Sequence, residues 1–403
     1  MAILKHRYSG KFLSVDQSLF VKSFFIRTIS STPARPLCST PLQLGGRAAN
    51  IAAAPLVLEK EGFLSLLPGI VDDICNDPSI ADLHPHISEH MEAAIKYNIV
   101  GGKMNRGLSV PVSYAVLKPN ATQADLEKAA ILGWTVEFLQ VEQSCNVGFR
   151  SIPKSQAFFL VADDIMDGSE TRRGQPCWFR KPEIGLIAFN DSIILETCVY
   201  SILARHFSKH PSYTGLLQAL LESTRLTSYG QAIDLTTASA YNGVRGNEGS
   251  LDMFTMDRYS CIVKYKTSHY SFVLPVHLAM RLAGIEDEQK LKTSAAILND
   301  IGHYFQVCDD YLDCYGDPKV TGKLGTDIQD GKCSWLVATA LEKSSEAQRR
   351  TLELNYGSSD AQEVAAVLEV YEEVRSKNNV HLVEFEKASL HVSHVSGWSE
   401  RGI

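Results

Sequence analysis

From about residue 58 onward, apolar residues return at three- and four-residue spacing in one segment after another. LEKEGFLSLLPGIVDDI, HISEHMEAAIKYNIV, ADLEKAAILGWTVEFLQ, SIILETCVYSILARHF and LLQALLESTRLTSYGQAIDL all carry this spacing, which lines one face of an α-helix. No run alternates as a half-buried strand would. The breaks fall at VGGKMNRGLSVPV, RRGQPCWFRKPEIG, ASAYNGVRGNEGS and YGDPKVTGKLG, where Gly, Pro and basic residues gather. A chain patterned this way must bury its stripes helix against helix, and 403 residues with 45% hydrophobic content suffice for one large core. The expectation is an all-α protein, a single large helical domain whose helices surround a central cleft.

Charge narrows what such a domain does. The formal charge is -7, with no basic stripe in the body of the chain, which argues against nucleic acid as partner. Nine cysteines occur singly between Cys38 and Cys333 without a CxxC pair, so neither a disulfide framework nor a zinc site is indicated. The first forty residues hold six basic side chains (Lys5, Arg7, Lys11, Lys22, Arg27, Arg35) against Asp16 alone, and are rich in Ser and Thr. That is the composition of a mitochondrial transit peptide, assigned here to residues 1–45, with a basic leader on a cytoplasmic protein as the alternative. Lys22 and Arg27 interrupt its apolar runs, so no membrane span is expected there.

Two acidic motifs carry the chemistry. AFFLVADDIMDGSETRRG places Asp163, Asp164 and Asp167 at the end of an apolar helix, with Asp163 and Asp167 one turn apart on a shared face. About 146 residues later, HYFQVCDDYLDCYGDPKVTGK repeats the arrangement with Asp309, Asp310 and Asp313. One acidic triplet is usually a solvated helix face. Two copies, each ending an apolar helix and each followed by basic residues, point to metal binding. Oxygen donors without His or Cys favour Mg²⁺, with Mn²⁺ as the alternative, and magnesium takes its remaining ligands from phosphate and water. A phosphate-bearing substrate is therefore implied. Six carboxylates would repel it unless divalent ions and cations intervene; Arg172, Arg173, Lys323, Lys332, Lys103, Arg106, Lys264 and Lys266 are the cations available.

With GGKMNRG, AFFLVADDIMDGSETRRGQPCW, KYKTSHYSF, FQVCDDYLDCYGDPKVTGKLGTDIQDGKCSW and LELNYG together, the chain resembles the farnesyl diphosphate synthases, the short-chain trans-prenyltransferases, from about residue 95 to 372. The resemblance implies the isoprenoid synthase fold, a homodimer and three Mg²⁺ between facing aspartate motifs. It makes Asp163, Asp167 and Asp309 direct ligands, with Asp164, Asp310 and Asp313 as additional or water-mediated ones. Arg172, Lys266 and Lys323 would hold the allylic diphosphate; Lys103, Arg106, Gln156 and Arg173 would hold isopentenyl diphosphate, with Gln140 as the alternative to Gln156. Lys332 belongs to the same cationic set; Thr267 and Gln306 would lie beside the reacting carbons and, with Lys266, form the catalytic group. Phe158 and Phe159, one turn before Asp163 and about 6 Å deeper, would floor the cleft and stop growth at the C15 product, with C10 second.

The sequence departs from this pattern twice. Sixteen residues, 141–156, stand between Gln140 and Ala157 where the family's helix is continuous; were they helical they would add about 24 Å and turn the following face by roughly 160 degrees, so a bulging loop is expected. After a domain spanning 46–385, residues 386–403 form an atypical tail in place of the family's basic one. Two other readings follow: a terpene synthase derived from this scaffold, or a catalytically impaired isoform acting as a dimer partner. His84, His86 and His90 read as surface or capping residues. The leader is testable by itself: residues 1–45 fused to a fluorescent reporter should carry it into mitochondria, and a cytosolic reporter would reject the transit-peptide reading.

Overall fold

The helical periodicity is realised, and the ends of the helices follow local chemistry. The computed structural model describes residues 59–80, 82, 84–99, 104–139, 158–172, 175–316 and 325–378. The leader over 1–45, the insertion over 141–156 and the tail over 386–403 lie outside the described residues. Helices α1 (Lys60–Leu64), α2 (Leu67–Cys75), α3 (Pro85–Ile99), α4 (Asn105–Leu117) and α5 (Gln123–Leu139) precede α6 (Phe158–Asp167). A two-residue antiparallel pair, Thr171–Arg172 against Gln175–Pro176, leads into α7 (Ile187–Phe207) and α8 (Tyr213–Asn242). Next, α9 (Met256–Ile262), a π-helix over Val263–Val273 and α10 (Leu274–Leu282) follow without a break. The described chain ends with α11 (Glu288–Tyr315), α12 (Trp335–Lys343), α13 (Glu346–Asn355) and α14 (Ala361–Asn378).

Side-chain caps set several starts. Thr255 accepts from the Arg258 amide at 3.1 Å and Asp287 from the Lys290 amide at 2.8 Å, satisfying donors that a first helical turn leaves free. Ser345 and Gln348 form a reciprocal capping box at α13.

The largest core gathers residues of every helix from α1 to α8 and of α10. At its centre Phe63 and Trp134 stack with ring centroids 4.5 Å apart, and the indole donates to the Phe63 carbonyl at 3.1 Å. A second core joins the end of α8 to α9, α12, α13 and α14. His90 does more than the sequence reading allowed: it bonds Asp191 of α7 at 2.8 Å, whose other oxygen accepts from the Trp178 indole at 2.8 Å, so a buried carboxylate ties α3 to α7. Helix α7 is long and apolar enough to cross a membrane by length and composition. It packs here against α5 and α6, and leaves Ile187, Phe189 and Ile193 exposed.

The π-helix lies between α8 and α11 at contacts too close for a side chain. A Cβ on Gly230 would stand 2.2 Å from the Lys266 nitrogen, and one on Gly302 would stand 2.5 Å from the Ser268 Cβ. Two glycines thus let neighbouring helices close on a turn wider than an α-helix, the kind of interruption that often marks a functional site.

Helices α4 and α5 cross in the same way: a Cβ on Gly133 would meet the Gly107 carbonyl oxygen at 2.3 Å. Helix propensity alone favours alanine over glycine by about 1 kcal/mol. Overpacking outweighs it, so Gly133→Ala should destabilise the protein by about 1–3 kcal/mol, measured by chemical unfolding.

Candidate active site

Helix α8 joins the first acidic motif to the lysines of the π-helix and of the turn before α12. Its Gln231 donates a hydrogen bond to Asp163 of the first motif, on α6. One turn further, the buried carboxylate of Asp234 takes the Lys266 ammonium at 2.5 Å and the Lys332 ammonium at 3.4 Å. Lys266 comes from the π-helix and Lys332 from the turn before α12, so three separate elements converge on one α8 face. Burial alone would push the Asp234 carboxyl up; the two ammonium groups outweigh it and hold the carboxyl below the usual range.

The aspartates of the second motif divide their work. Asp309 is buried on α11. Asp310 accepts from the Trp335 amide at 2.7 Å and from the Gln306 side-chain amide at 2.8 Å, and so fastens the first turn of α12. Burial pushes Asp310 up to about 7, the Trp335 and Gln306 bonds opposing and the Asp309 charge adding. Asp313 accepts from the Asp327 amide at 3.0 Å, anchoring the chain that leads to Lys332. Among the described residues, the side-chain oxygen of Gln306 is buried without a hydrogen-bond partner.

The first motif is held from behind. Gly168 takes a left-handed conformation, φ +63°, immediately after α6, and the Ser169 amide donates to the Asp164 carbonyl at 3.0 Å. Arg180 then donates to the Gly168 and Ser169 carbonyls at 2.6 and 3.1 Å, setting a cation at the negative end of the helix. Asp167 closes α6, and Arg172 lies in the short antiparallel pair beyond it.

Phe159 is buried against Tyr270 of the π-helix, with the half-buried Phe158 ring 4.5 Å from it, one turn before Asp163. Arg106 of α4 is buried beside them: its guanidinium lies 5.1 Å from the Tyr270 ring centre and donates to the Ser271 hydroxyl at 3.0 Å. Thr267 is buried beside Lys266. Lys103, Gln156, Arg173 and Lys323 lie outside the described residues.

Among the described residues, no three of His, Cys, Asp and Glu converge as a ready-made metal cage. The donors present are the buried carboxylates of Asp163, Asp164 and Asp309. Such a set fits a magnesium-type ion, which binds through one or two carboxylates and completes its shell with phosphate and water. Gln231 and Asp234 went unnoticed in the sequence, although SYGQAIDL holds their signal: two polar side chains three apart, behind a glycine, in an apolar helix.

Comparison with known proteins agrees with this geometry. Residues 150–374 match the polyprenyl synthetase family. Farnesyl pyrophosphate synthase of Homo sapiens is 42% identical over 348 residues, 84% of this chain and 75% of that protein. The enzyme of the same name from Schizosaccharomyces pombe is 43% identical over 330 residues, covering 81% and 88%. The solved T. brucei farnesyl diphosphate synthase complexed with risedronate superimposes with a TM-score of 0.70 at 31% identity, covering 83% of this chain and 92% of that one.

Asp234 gives the site a pH signature. Its carboxyl is held below the usual range in the folded state, so the stability it contributes is complete above the unfolded value of about 3.9 and is lost as pH falls through the lower folded value. Asp234→Asn should flatten this acid limb below about pH 4, read by thermal unfolding between pH 2 and 6.

Proposed function

We propose that this chain, a member of the polyprenyl synthetase family, condenses isopentenyl diphosphate with dimethylallyl and geranyl diphosphate to give farnesyl diphosphate. The observation that carries this reading is the convergence of Lys266 and Lys332 on Asp234, beside an α8 face whose Gln231 reaches the Asp163 motif. Cations oriented in this way, Lys266 buried and Lys332 half-buried, are preorganised for a diphosphate.

Asp163, Asp167 and Asp309 would hold the divalent ions, Mg²⁺ for preference, three to a site, with Asp164, Asp310 and Asp313 supporting them. What the ions supply when bound is neutralisation of the leaving diphosphate. Lys266 and Lys332, with Arg172 and Lys323, bind the allylic diphosphate; Lys103, Arg106, Gln156 and Arg173 bind the isopentenyl one. As the allylic C–O bond breaks, its electron pair leaves on the diphosphate oxygen. The isopentenyl double bond attacks the allylic carbon, a C–C bond forms, and a proton passes to the released diphosphate. No protein nucleophile takes part. Thr267 and Gln306 face the reacting carbons, and apolar walls keep water from the cation. Phe159, packed on Tyr270, supports a stop at C15.

A homodimer belongs to the same proposal. Leu186, Ile187, Phe189 and Ile193 on and just before α7, with Leu221 and Tyr229 on α8, form exposed apolar surface of the kind that a second copy covers. Mitochondrial location rests on the composition of residues 1–45.

Purified protein incubated with Mg²⁺, dimethylallyl or geranyl diphosphate and isopentenyl diphosphate should yield farnesyl diphosphate. A hydrocarbon or alcohol formed without isopentenyl diphosphate would instead indicate a terpene synthase, and absence of turnover an impaired isoform. Asp163→Ala should lower turnover at least about a hundredfold, and unchanged activity would remove Asp163 from the metal site.

A further inference from the structure

Lys332 stands in a tight turn whose shape does not come from its own residues alone. Gly331 immediately before it takes φ +64°, the Lys332 amide donates to the Asp327 carbonyl at 3.0 Å, and the Ser334 amide returns to the Lys332 carbonyl at 2.9 Å. These local bonds close the turn. They do not fix how it faces Asp234 across the site.

That orientation is held from the opposite side by Tyr356, at the end of α13. The residue is fully buried, and its hydroxyl reaches the Lys332 carbonyl at 2.6 Å, with the Asp327 carbonyl further off at 3.4 Å. A phenol has one proton to give, and the shorter contact shows where it goes. The post is itself tied to its surroundings by the backbone. Its backbone carbonyl accepts from the Tyr241 hydroxyl and from the Arg245 side chain, each at 2.7 Å, and the next amide, of Gly357, donates to Ile328 at 2.8 Å. Tyr241 belongs to α8, the helix that carries Asp234.

We infer that Tyr356 is a positioning residue for diphosphate binding, acting through the backbone of Lys332. The same α8 rod fixes Asp234 at one turn and, through Tyr241, the Tyr356 post further along. The Lys332 ammonium is thereby presented to a diphosphate by a frame that never touches the ligand. This inference rests on the proposed role of Lys332 as a diphosphate cation.

The test is a cycle of Tyr356→Phe, Lys332→Gln and the double variant, read as the dissociation constant for inorganic diphosphate with Mg²⁺ by calorimetry. Binding needs no turnover, so the result stands apart from the product assay. Phenylalanine keeps the ring and removes only the hydroxyl. Expected is a loss of affinity of about fivefold for Tyr356→Phe when Lys332 is present and none when Gln replaces it. Equal losses in both backgrounds, or no loss in either, would overturn the positioning role alone. Unchanged affinity in Lys332→Gln would overturn the diphosphate role of Lys332 and this inference with it. Should Tyr356→Phe not fold, Tyr241→Phe, which loosens the post without touching Lys332, is read in the same cycle with the same two outcomes.

Discussion

The cationic half of the candidate site depends on the buried carboxylate of Asp234. It bonds two ammonium groups, Lys266 at 2.5 Å and Lys332 at 3.4 Å, that reach it from elements far apart in the chain. A carboxylate buried without such partners would be pushed towards its neutral form, whereas the two ammonium groups hold this one below the usual range, as the anion. The carboxylate and the ammonium groups offset one another's charge. The outcome is positive charge held inside the protein, one helical turn from the Gln231 that reaches Asp163. Mutual dependence of this kind makes the cluster costly to break and well suited to receive an anion.

The π-helix serves the same end from the other side. An ordinary α-turn at Val263–Val273 would carry Lys266 and Thr267 in a different register relative to α8 and α11. The wider turn is accommodated because Gly230 and Gly302 bring no side chain to their contacts with Lys266 and Ser268. Tight backbone packing and site geometry are here one feature, which explains why glycines occupy the middle of helices that would otherwise favour alanine.

The two acidic motifs look alike in the chain and differ in space. Asp163 faces Gln231 of α8, whereas in the second motif Asp310 turns away to the Trp335 amide and Gln306, and Asp313 holds the Asp327 amide. The second motif thus organises the segment that leads to Lys332 as well as bearing Asp309. A pattern of three aspartates records spacing along one helix. It does not record which oxygens the neighbouring helices claim.

Read alone, the chain determined the helical class, the apolar faces, the two aspartate motifs and the basic residues near them, because helix periodicity and motif spacing are local properties. The sequence also contained the one-turn relation of Phe159 to Asp163, for the same reason. Only the tertiary structure decided the partnership of Asp234 with Lys266 and Lys332, the close approaches of Gly230 and Gly302, and the bond from Tyr356 to the Lys332 carbonyl. These contacts join residues 24 to 98 positions apart. Their existence depends on how helices pack, and nothing in the spacing along one helix encodes which buried charge will find another.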